Sequence, residues 1–237
     1  MSAAPPTGGA IAYRQHHPRD PHRPDPIRAR RGPDSDEEAR VPAASERSSP
    51  PSAATRARFR EGVAAASSSY REVADWEALA GLLAEDAPVV ALAPSLERAE
   101  PQLRRLLEEA GCRVVVPDGD DPAAAVADVP VGVVAGELAV AETGSVLVSE
   151  HELGDRVVTM LCQRLVQVVP VELIADRLEA AADWLAPRGG TPGFASLMTG
   201  PSRTADIERS LTIGVQGPDT VDVVVLTGIT EREGDGA

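Results

Sequence analysis

The amino-acid sequence predicts an α/β fold with three layers, α/β/α, built around a mostly parallel β-sheet. Short apolar runs rich in β-branched residues, such as 131–134 and 165–169, have the composition of strands that are covered on both faces. Amphipathic stretches alternate with these runs, and such alternation is typical of a parallel sheet with helices on both faces. Because the 237 residues include only two Trp, two Tyr and two Phe, we expect a core of Val, Leu and Ala.

The first half of the predicted domain alternates helices with two strands. Ser95 is suited to cap a helix, and Gly111 lies where that helix is expected to end. Pro122 follows Asp121 at the first position of another helix, where the missing N–H is tolerated. Apolar residues spaced three and four apart predict a single long helix that precedes these two helices. The predicted helices cover 59–83, 96–110 and a short segment from 122, and the strands cover 88–92 and 114–116.

The second half continues the alternation. Gly154 and Asp155 open a predicted helix, and Pro170 stops the strand that follows it. Apolar residues at helical spacing predict a further helix that ends at Leu185. The predicted helices cover 153–161, 171–185 and 205–211, the strands cover 165–169, 194–198 and 221–226, and 187–192 and 214–218 are a loop and a turn.

The stretch from Val131 to Glu150 is predicted as a buried strand, a sharp turn and a second strand. Gly144 can adopt the positive φ that such a turn requires, and Glu142 and Thr143 stand beside it. Turns at strand ends are where α/β proteins tend to place their sites. The alternative interpretation is a β-hairpin with a solvated acid at its tip, since most carboxylates are exposed.

Composition divides the chain into an N-terminal arm at 1–57, a folded domain at 58–230 and a frayed tail at 231–237. Residues 1–60 contain 11 Arg and 7 acidic residues, whereas the remainder contains 12 Arg and 30 acidic residues. The arm is rich in Pro, Arg and Ser without apolar periodicity, so we predict that it is disordered. The acidic domain lacks the basic face that duplex nucleic acid requires, which excludes that class of partner.

Residue counts exclude several kinds of chemistry. The chain has no Lys and therefore has neither a Schiff-base lysine nor a P-loop. Its two cysteines, Cys112 and Cys162, cannot supply the ligands of an iron–sulfur cluster, so we expect no cofactor and a colourless chain. Metal binding by His16, His17 and His22 is the less favoured interpretation, because these residues lie among prolines.

The sequence predicts neither a secretory signal nor a membrane-spanning segment. The first 30 residues lack the apolar segment of a signal peptide, and no apolar run approaches the length that spans a bilayer. We therefore expect a cytoplasmic protein that does not contact the membrane.

The segment 150–156 is a further candidate for a site. It contains Glu150, His151 and Glu152, which are metal-ligating residue types, but they lack a recognised spacing. The simpler interpretation is that Asp155 caps a helix and that the acids face water, so no metal is expected. Arg156 is well suited to pair with a carboxylate or phosphate.

Two glycine turns complete the set of candidates. The segment 200–208 combines Gly200, the hydroxyls of Ser202 and Thr204 and a predicted helix N-terminus, which together resemble an anion cradle. Capping alone explains this segment equally well, because acids in a first helical turn already complement the helix dipole. The segment 214–218 contains Gln216 and is otherwise typical of a plain turn.

These clusters are expected to meet in one cleft, because the carboxyl ends of parallel strands lie along one edge of a sheet. There Arg156 would hold an anionic group, and Glu142 would act as a base or orient Arg156. The predicted cleft is lined by Glu142, Thr143, Arg156, Ser202, Thr204 and Gln216.

Taken together, the clusters resemble the lactate-utilisation protein C family (LutC/YkgG), which is built on the LUD domain. The order and spacing match over roughly 60–228, and the joint pattern is more specific than any one motif. The residues that carry the resemblance are Glu137-x-Ala139-Val140-Ala141-Glu142-Thr143-Gly144-Ser145, Gly154-x-Arg156, Thr199-Gly200-Pro201-Ser202-x-Thr204-Ala205-Asp206-Ile207-Glu208 and Gly214-Val215-x-Gly217-Pro218.

The resemblance implies a fold similar to glucosamine-phosphate isomerases, ribose-phosphate isomerases and CoA transferases (NagB/RpiA/CoA-transferase-like). It also implies a role in oxidising L-lactate to pyruvate alongside iron–sulfur oxidoreductase partners. Two positions depart from the family: Gln216 stands where many relatives have His, which removes an acid/base group, and Glu137 replaces a frequent Asp. We assign Glu142 and Arg156 as catalytic, and Thr143, Gly144, Ser145, Gly200, Ser202, Thr204 and Gln216 as substrate-binding.

Three functions remain open at this point. The chain is an accessory subunit of a lactate-oxidising system that binds a small carboxylate or partner chains, or it is a stand-alone acyl-transfer or sugar-phosphate enzyme using Glu142. The third alternative is a non-catalytic binding module. Two iron–sulfur oxidoreductase genes beside this one would favour the first, and activity of the single chain would favour the second.

Overall fold

The fold is centred on a six-stranded sheet in which every strand is parallel to its neighbours. The computed structural model describes residues 50–188, 193–204, 212–213 and 217–228. The strands of this sheet follow the order β1-β12-β7-β4-β2-β3. They are β1 (Ser69–Val73), β2 (Val89–Leu92), β3 (Arg113–Val115), β4 (Val131–Ala135), β7 (Arg164–Pro170) and β12 (Thr220–Leu226).

A second sheet of four strands, in the order β8-β5-β6-β9, carries the turn that the sequence singles out. Strands β5 and β6 form an antiparallel hairpin, β9 continues it antiparallel to β6, and β8 runs parallel to β5. A separate pair, β10 with β11, is also antiparallel. These strands are β5 (Leu138–Val140), β6 (Ser145–Glu150), β8 (Ile174–Ala175), β9 (Phe194–Met198), β10 (Arg203–Thr204) and β11 (Thr212–Ile213).

Helices connect and cover the parallel strands. The second and fourth helices pack against one another, as do the fifth and sixth. The helices are α1 (Ala53–Ala65), α2 (Trp76–Ala84), α3 (Pro94–Ala99), α4 (Pro101–Glu109), α5 (Pro122–Val126), α6 (Leu153–Leu161) and α7 (Glu179–Leu185), with single 3-10 turns at Val171–Leu173 and Ala186–Arg188. The predicted α/β class with a mostly parallel sheet is therefore confirmed.

The core consists of aliphatic side chains, as the composition predicts. Within the largest cluster of described buried residues, Phe59 is the one aromatic side chain, and Val, Leu and Ala make up most of the others. A second, smaller cluster lies beneath the hairpin and includes Leu147 and Trp184. Val146 and Val148 belong to the large cluster, so the two faces of β6 contact different cores.

The prediction of one helix over 59–83 is wrong. Helix α1 ends at Ala65, Ser67 adopts a positive φ of 60°, and the chain then forms β1 before α2 begins. Asp75 caps α2 by accepting a hydrogen bond from the backbone N–H of Ala78. Helix α1 also begins at Ala53, before the predicted domain start at residue 58, so that boundary lies inside a helix.

Two other predicted helices are interrupted. The 96–110 helix is divided because Glu100 is not helical, and Pro101, which disfavours a helical residue before it, begins α4. Ser95 does not cap α3, whose N-cap is Ala93, whereas Gly111 does follow the end of α4 with φ 96°. The 171–185 prediction holds only for α7, because a 3-10 turn and β8 precede it.

The helix predicted at 205–211, the turn at 214–216, and most of the predicted arm and tail lie outside the described residues. Among the residues that the structure describes, no helix has the length and apolar character needed to cross a membrane.

Candidate functional site

The turn between β5 and β6 forms one wall of a cleft of about 500 Å³. The C-terminal turn of α1 forms a second wall, and the segment that follows β9 forms a third. Glu142 and Thr143 contribute the polar side chains of the turn, and Thr199 contributes a hydroxyl from the opposite wall. The cleft is lined by Gly62, Ala65, Ala66, Glu142, Thr143, Thr199 and Pro201.

Two glycines bring the turn and α1 into backbone contact. Gly144 has a φ of 66°, which a side chain would strain. A Cβ atom on Gly144 would lie 2.1 Å from the carbonyl carbon of Gly62 and 2.4 Å from the backbone nitrogen of Val63. The predicted role of Gly144 in the turn is therefore confirmed. The glycine also allows α1 to approach closely enough to form a wall of this cleft, which is called the first cleft below.

Hydroxyl groups link the turn to the segment after β9. Ser145 is buried and donates to Thr143 Oγ1 at 2.7 Å, and its Oγ lies 2.6 Å from Thr199 Oγ1. Since Ser145 has one hydroxyl proton, the second bond is donated by Thr199. These three linked hydroxyl groups connect two walls of the first cleft, the turn and the segment after β9.

Glu142 is exposed at the rim of this cleft and is held by the backbone that leads into α7. Its Oε2 accepts a hydrogen bond from the N–H of Leu178 at 3.0 Å, and its own N–H donates to Asp176 O at 3.0 Å. These hydrogen bonds hold the carboxylate in place, and among the described residues no cation forms an ion pair with it. The site predicted at this turn thus has a carboxylate and hydroxyls around one concave surface.

A second, smaller cleft of about 140 Å³ lies between α6 and β9. Glu150, at the end of β6, is the charged residue among its described lining residues, and Met160 and Met198 provide apolar walls. The remaining lining residues are Thr159, Ser196, Gly200, Ser202, Gly217 and Pro218. Gly200 and Ser202, both predicted site residues, therefore lie here.

Glu150 is buried, with its side chain 1% exposed. Neither carboxylate oxygen has a hydrogen-bond partner, and the nearest cation, Arg156, places its Nε 3.5 Å from Oε2. Burial raises the pKa of Glu150, and the Arg156 guanidinium opposes this rise, as does the nearby Thr159 hydroxyl. The single proton of that hydroxyl is donated to Asp155 O at 2.9 Å, so it does not satisfy the Glu150 oxygens. The interpretation that this acid faces water is therefore wrong.

Arg156 is positioned from two sides. Its guanidinium lies 4.2 Å from the ring centroid of Phe194, so that a cation–π contact accompanies the ion pair with Glu150. The first turn of α6 is fixed by Asp155, which accepts from the N–H groups of Ser95, His151 and Glu152 at 2.9, 3.1 and 3.4 Å. The prediction that Asp155 caps this helix is confirmed.

The structure does not bring Glu142 and Arg156 into contact. Glu142 precedes β6, whereas the partner of Arg156, Glu150, ends it, and the five steps along the strand span roughly 16 Å. The expected single cleft is thus divided into two. Thr199 and Pro201 line the first cleft, while Gly200 and Ser202 line the second.

Two predicted site residues cannot be placed. Thr204 lies in β10, but its side chain is outside the described residues, as is Gln216. Their assignment as substrate-binding residues remains a prediction, as do the roles assigned to Glu142 and Arg156.

Sequence reasoning weighed Glu150 only as a possible metal ligand, favoured a solvated acid, and missed its burial beside a cleft. The signal was present in the alternation of β6, because residues two apart face the same side of a strand. Val146 and Val148 are buried in the large cluster, and Glu150 continues their face. A carboxylate in that series is expected to be buried.

Comparison with known proteins assigns the chain to a family. The model of the LUD domain family matches residues 86–226, which is more than half of the chain, and the chain belongs to this family. The fold is shared with a DUF162 family protein from Deinococcus radiodurans, with a TM-score of 0.52 and 17% identity over 75% of this chain and 99% of that one.

Curated relatives carry the name lactate utilization protein C. The protein from Geobacillus kaustophilus is 30% identical over 101 residues, which cover 41% of this chain and 42% of that protein. The Bacillus subtilis protein is 38% identical over 93 residues, which cover 37% and 38% of the two chains. The match thus spans about two fifths of the length of these relatives. The resemblance seen in the motifs is confirmed: the chain is a LUD-domain protein, and over this part it is similar to proteins named lactate utilization protein C.

Proposed function

We propose that this chain is an accessory subunit of a cytoplasmic system that oxidises L-lactate to pyruvate, acting together with iron–sulfur oxidoreductase proteins. The observation that carries the proposal is its similarity to proteins named lactate utilization protein C. In this proposal the chain binds a small carboxylate or its partner chains, and the partners carry the electrons.

The chemistry of the two cysteines supports this division of labour. Cys112 and Cys162 are both buried, and burial raises the pKa of each thiol, that of Cys162 to about 11. Metal clusters are bound by thiolates, and these thiols are strongly held in the protonated form. A redox centre of the iron–sulfur type is therefore better supplied by another protein.

Reconstitution tests the proposal directly. The full chain is mixed with iron–sulfur oxidoreductase proteins from the same organism, the partners of this proposal, and L-lactate-dependent reduction of an artificial electron acceptor is measured. We expect activity in the mixture and co-purification of the components, with little activity when this chain is left out. Partner proteins that are equally active alone, and that do not co-purify with this chain, would contradict the proposal.

A second candidate function rests on the position of Glu142 at the rim of the larger cleft. There it would serve as base or nucleophile of a stand-alone acyl-transfer or sugar-phosphate enzyme. Turnover of an acyl-CoA or a sugar phosphate by the purified chain, lost in Glu142→Gln, would favour this function over the first.

Complementation of a lactate-growth defect tests the site within the first function. Glu142→Gln is nearly isosteric and keeps an acceptor for the Leu178 N–H, so we expect normal folding but no complementation. Glu109→Gln, on the exposed surface of α4, is the matched control and should complement fully. Full complementation by Glu142→Gln would show that the carboxylate is not needed.

A further inference from the structure

The second cleft contains a buried acid whose oxygens lack hydrogen-bond donors. Glu150 is 3% exposed, and neither of its oxygens accepts a hydrogen bond. Folded proteins satisfy nearly all buried polar atoms, because a carboxylate that has left water without gaining donors destabilises the folded state. The unsatisfied oxygens belong to a residue that lines an open cleft, so a molecule in the cleft can supply the missing donors.

We propose that the second cleft binds a small hydroxylated molecule, whose hydroxyl group donates a hydrogen bond to the carboxylate of Glu150. The site is separate from Glu142 and from the cleft that Glu142 lines. The sequence predicts Gly200 and Ser202 as site residues but favours a solvated Glu150, so it does not predict a ligand bound to this carboxylate.

The size of the cleft limits the ligand. A volume of about 140 Å³ corresponds to about five water molecules at ~30 Å³ each, so the ligand has only a few non-hydrogen atoms. Met160 and Met198 offer apolar walls to its carbon atoms, and the hydroxyls of Ser196 and Ser202 offer further polar contacts. A short hydroxylated carbon chain matches this lining.

The charge of the cleft favours a hydroxyl over an ammonium group. Arg156 already lies 3.5 Å from Glu150 and balances its charge, while the Nε of Arg156 has no hydrogen bond of its own. A second cation beside Arg156 would be repelled, whereas a neutral O–H group gives the carboxylate a donor without adding charge. A hydroxyl is therefore the donor that this pair accommodates.

Binding is tested with L-lactate, propane-1,2-diol and pyruvate, each titrated into the full chain and followed by NMR or calorimetry. Pyruvate replaces the hydroxyl by a ketone and has no O–H to donate. A site that bonds a ligand hydroxyl rejects analogues without it, because its buried polar group is then left unpaired. We expect saturable binding of at least one hydroxylated probe, with pyruvate at least about tenfold weaker.

Two variants connect binding to Glu150. Glu150→Met keeps the volume but removes the acceptor, so binding should be lost. Because the change also leaves Arg156 without its ion-pair partner, circular dichroism is recorded to establish that the variant is folded. Glu150→Gln keeps the shape and should weaken binding about tenfold, since bonds to charged acceptors are the stronger ones. Glu109→Gln on the exposed surface should bind like the wild type.

The proposal is overturned if neither hydroxylated probe binds, if pyruvate binds as tightly as L-lactate, or if a folded Glu150→Met or Glu150→Gln variant binds like the wild type. It rests on the proposed function only for the choice of L-lactate as a probe. A chain that binds a hydroxylated probe but fails in reconstitution would contradict the proposed function alone. A chain that reconstitutes activity but binds neither hydroxylated probe would contradict the cleft assignment alone.

Discussion

Gly144→Ala should destabilise the protein far more than the addition of one methyl group to an open loop. The residue has φ 66°, and the left-handed conformation costs an L-residue about 1–2 kcal/mol. The added Cβ would also lie 2.1 Å from Gly62, so α1 or the turn must move. Helix α1 is anchored by Phe59 and Val63, both fully buried, and overpacking of such regions costs about 1–3 kcal/mol. We expect a total loss of about 2–5 kcal/mol.

Two other glycines separate these causes. Gly119 also has a positive φ, 77°, but no atom lies within 4 Å of its Cβ position, so Gly119→Ala should show the conformational cost alone. Gly81 lies within α2 with open space around it, and Gly81→Ala should stabilise the protein by about 0.5–1 kcal/mol. Unfolding in urea gives the three differences. If Gly144→Ala costs no more than Gly119→Ala, the turn and α1 are not in the tight contact described here.

Further predictions concern stability, pH and the N-terminal arm. Asp155→Ala removes the acceptor of three backbone N–H groups and should cost about 2–3 kcal/mol in urea unfolding, against about 1 kcal/mol for the exposed cap Asp121→Ala; equal losses would contradict this. Because burial raises the pKa of Glu150, the folded state holds this proton more tightly than the unfolded state, and the contribution of Glu150 to stability falls as the pH rises through the raised pKa. Glu150→Gln should therefore gain stability relative to the wild type as the pH rises above the ordinary carboxyl pKa toward the raised pKa of Glu150, and a constant difference in melting temperature would refute the sign. A chain that starts at residue 50 keeps the Ser52 cap of α1 and should melt at the full-length temperature, whereas a large drop would show that the arm is docked.

The strands of the parallel sheet were predictable because burial on both faces selects continuous β-branched runs. Strands β2, β3, β4, β7 and β12 all coincide with such runs. The edge strand β1 was not predicted, because it depends on pairing with a distant part of the chain. Tyr70, for example, pairs with Val223. Its apolar residues continue the helical spacing of their neighbours, so the local sequence alone does not separate strand from helix.

The second sheet shows the same limit. Strand β8 has two residues, and Ile174 pairs with Ala139 across a long stretch of chain, so its local pattern resembles the start of α7. The candidate site was predictable where a glycine turn carries polar residues, as at Gly144. The division of the site into two clefts was not predicted. It depends on the distance between Glu142 and Arg156, which lie near opposite ends of β6, and their spacing along the chain alone does not show this. Only the pairing of β6 with β5 and β9 determines that separation.

The segment Thr199–Ser202 makes the two clefts mechanically dependent on one another. Its residues alternate between the linings of the two clefts, and a Cβ on Gly200 would lie 2.1 Å from Ala66 O, so the segment packs closely against the end of α1. A ligand that shifts this segment would therefore change the lining of both clefts. Any two ligands that each shift this segment would influence one another's affinity by the same factor, since thermodynamic linkage is reciprocal. The four residues thus form a wall that the two clefts share, and linkage between ligands of the two clefts would pass through this wall.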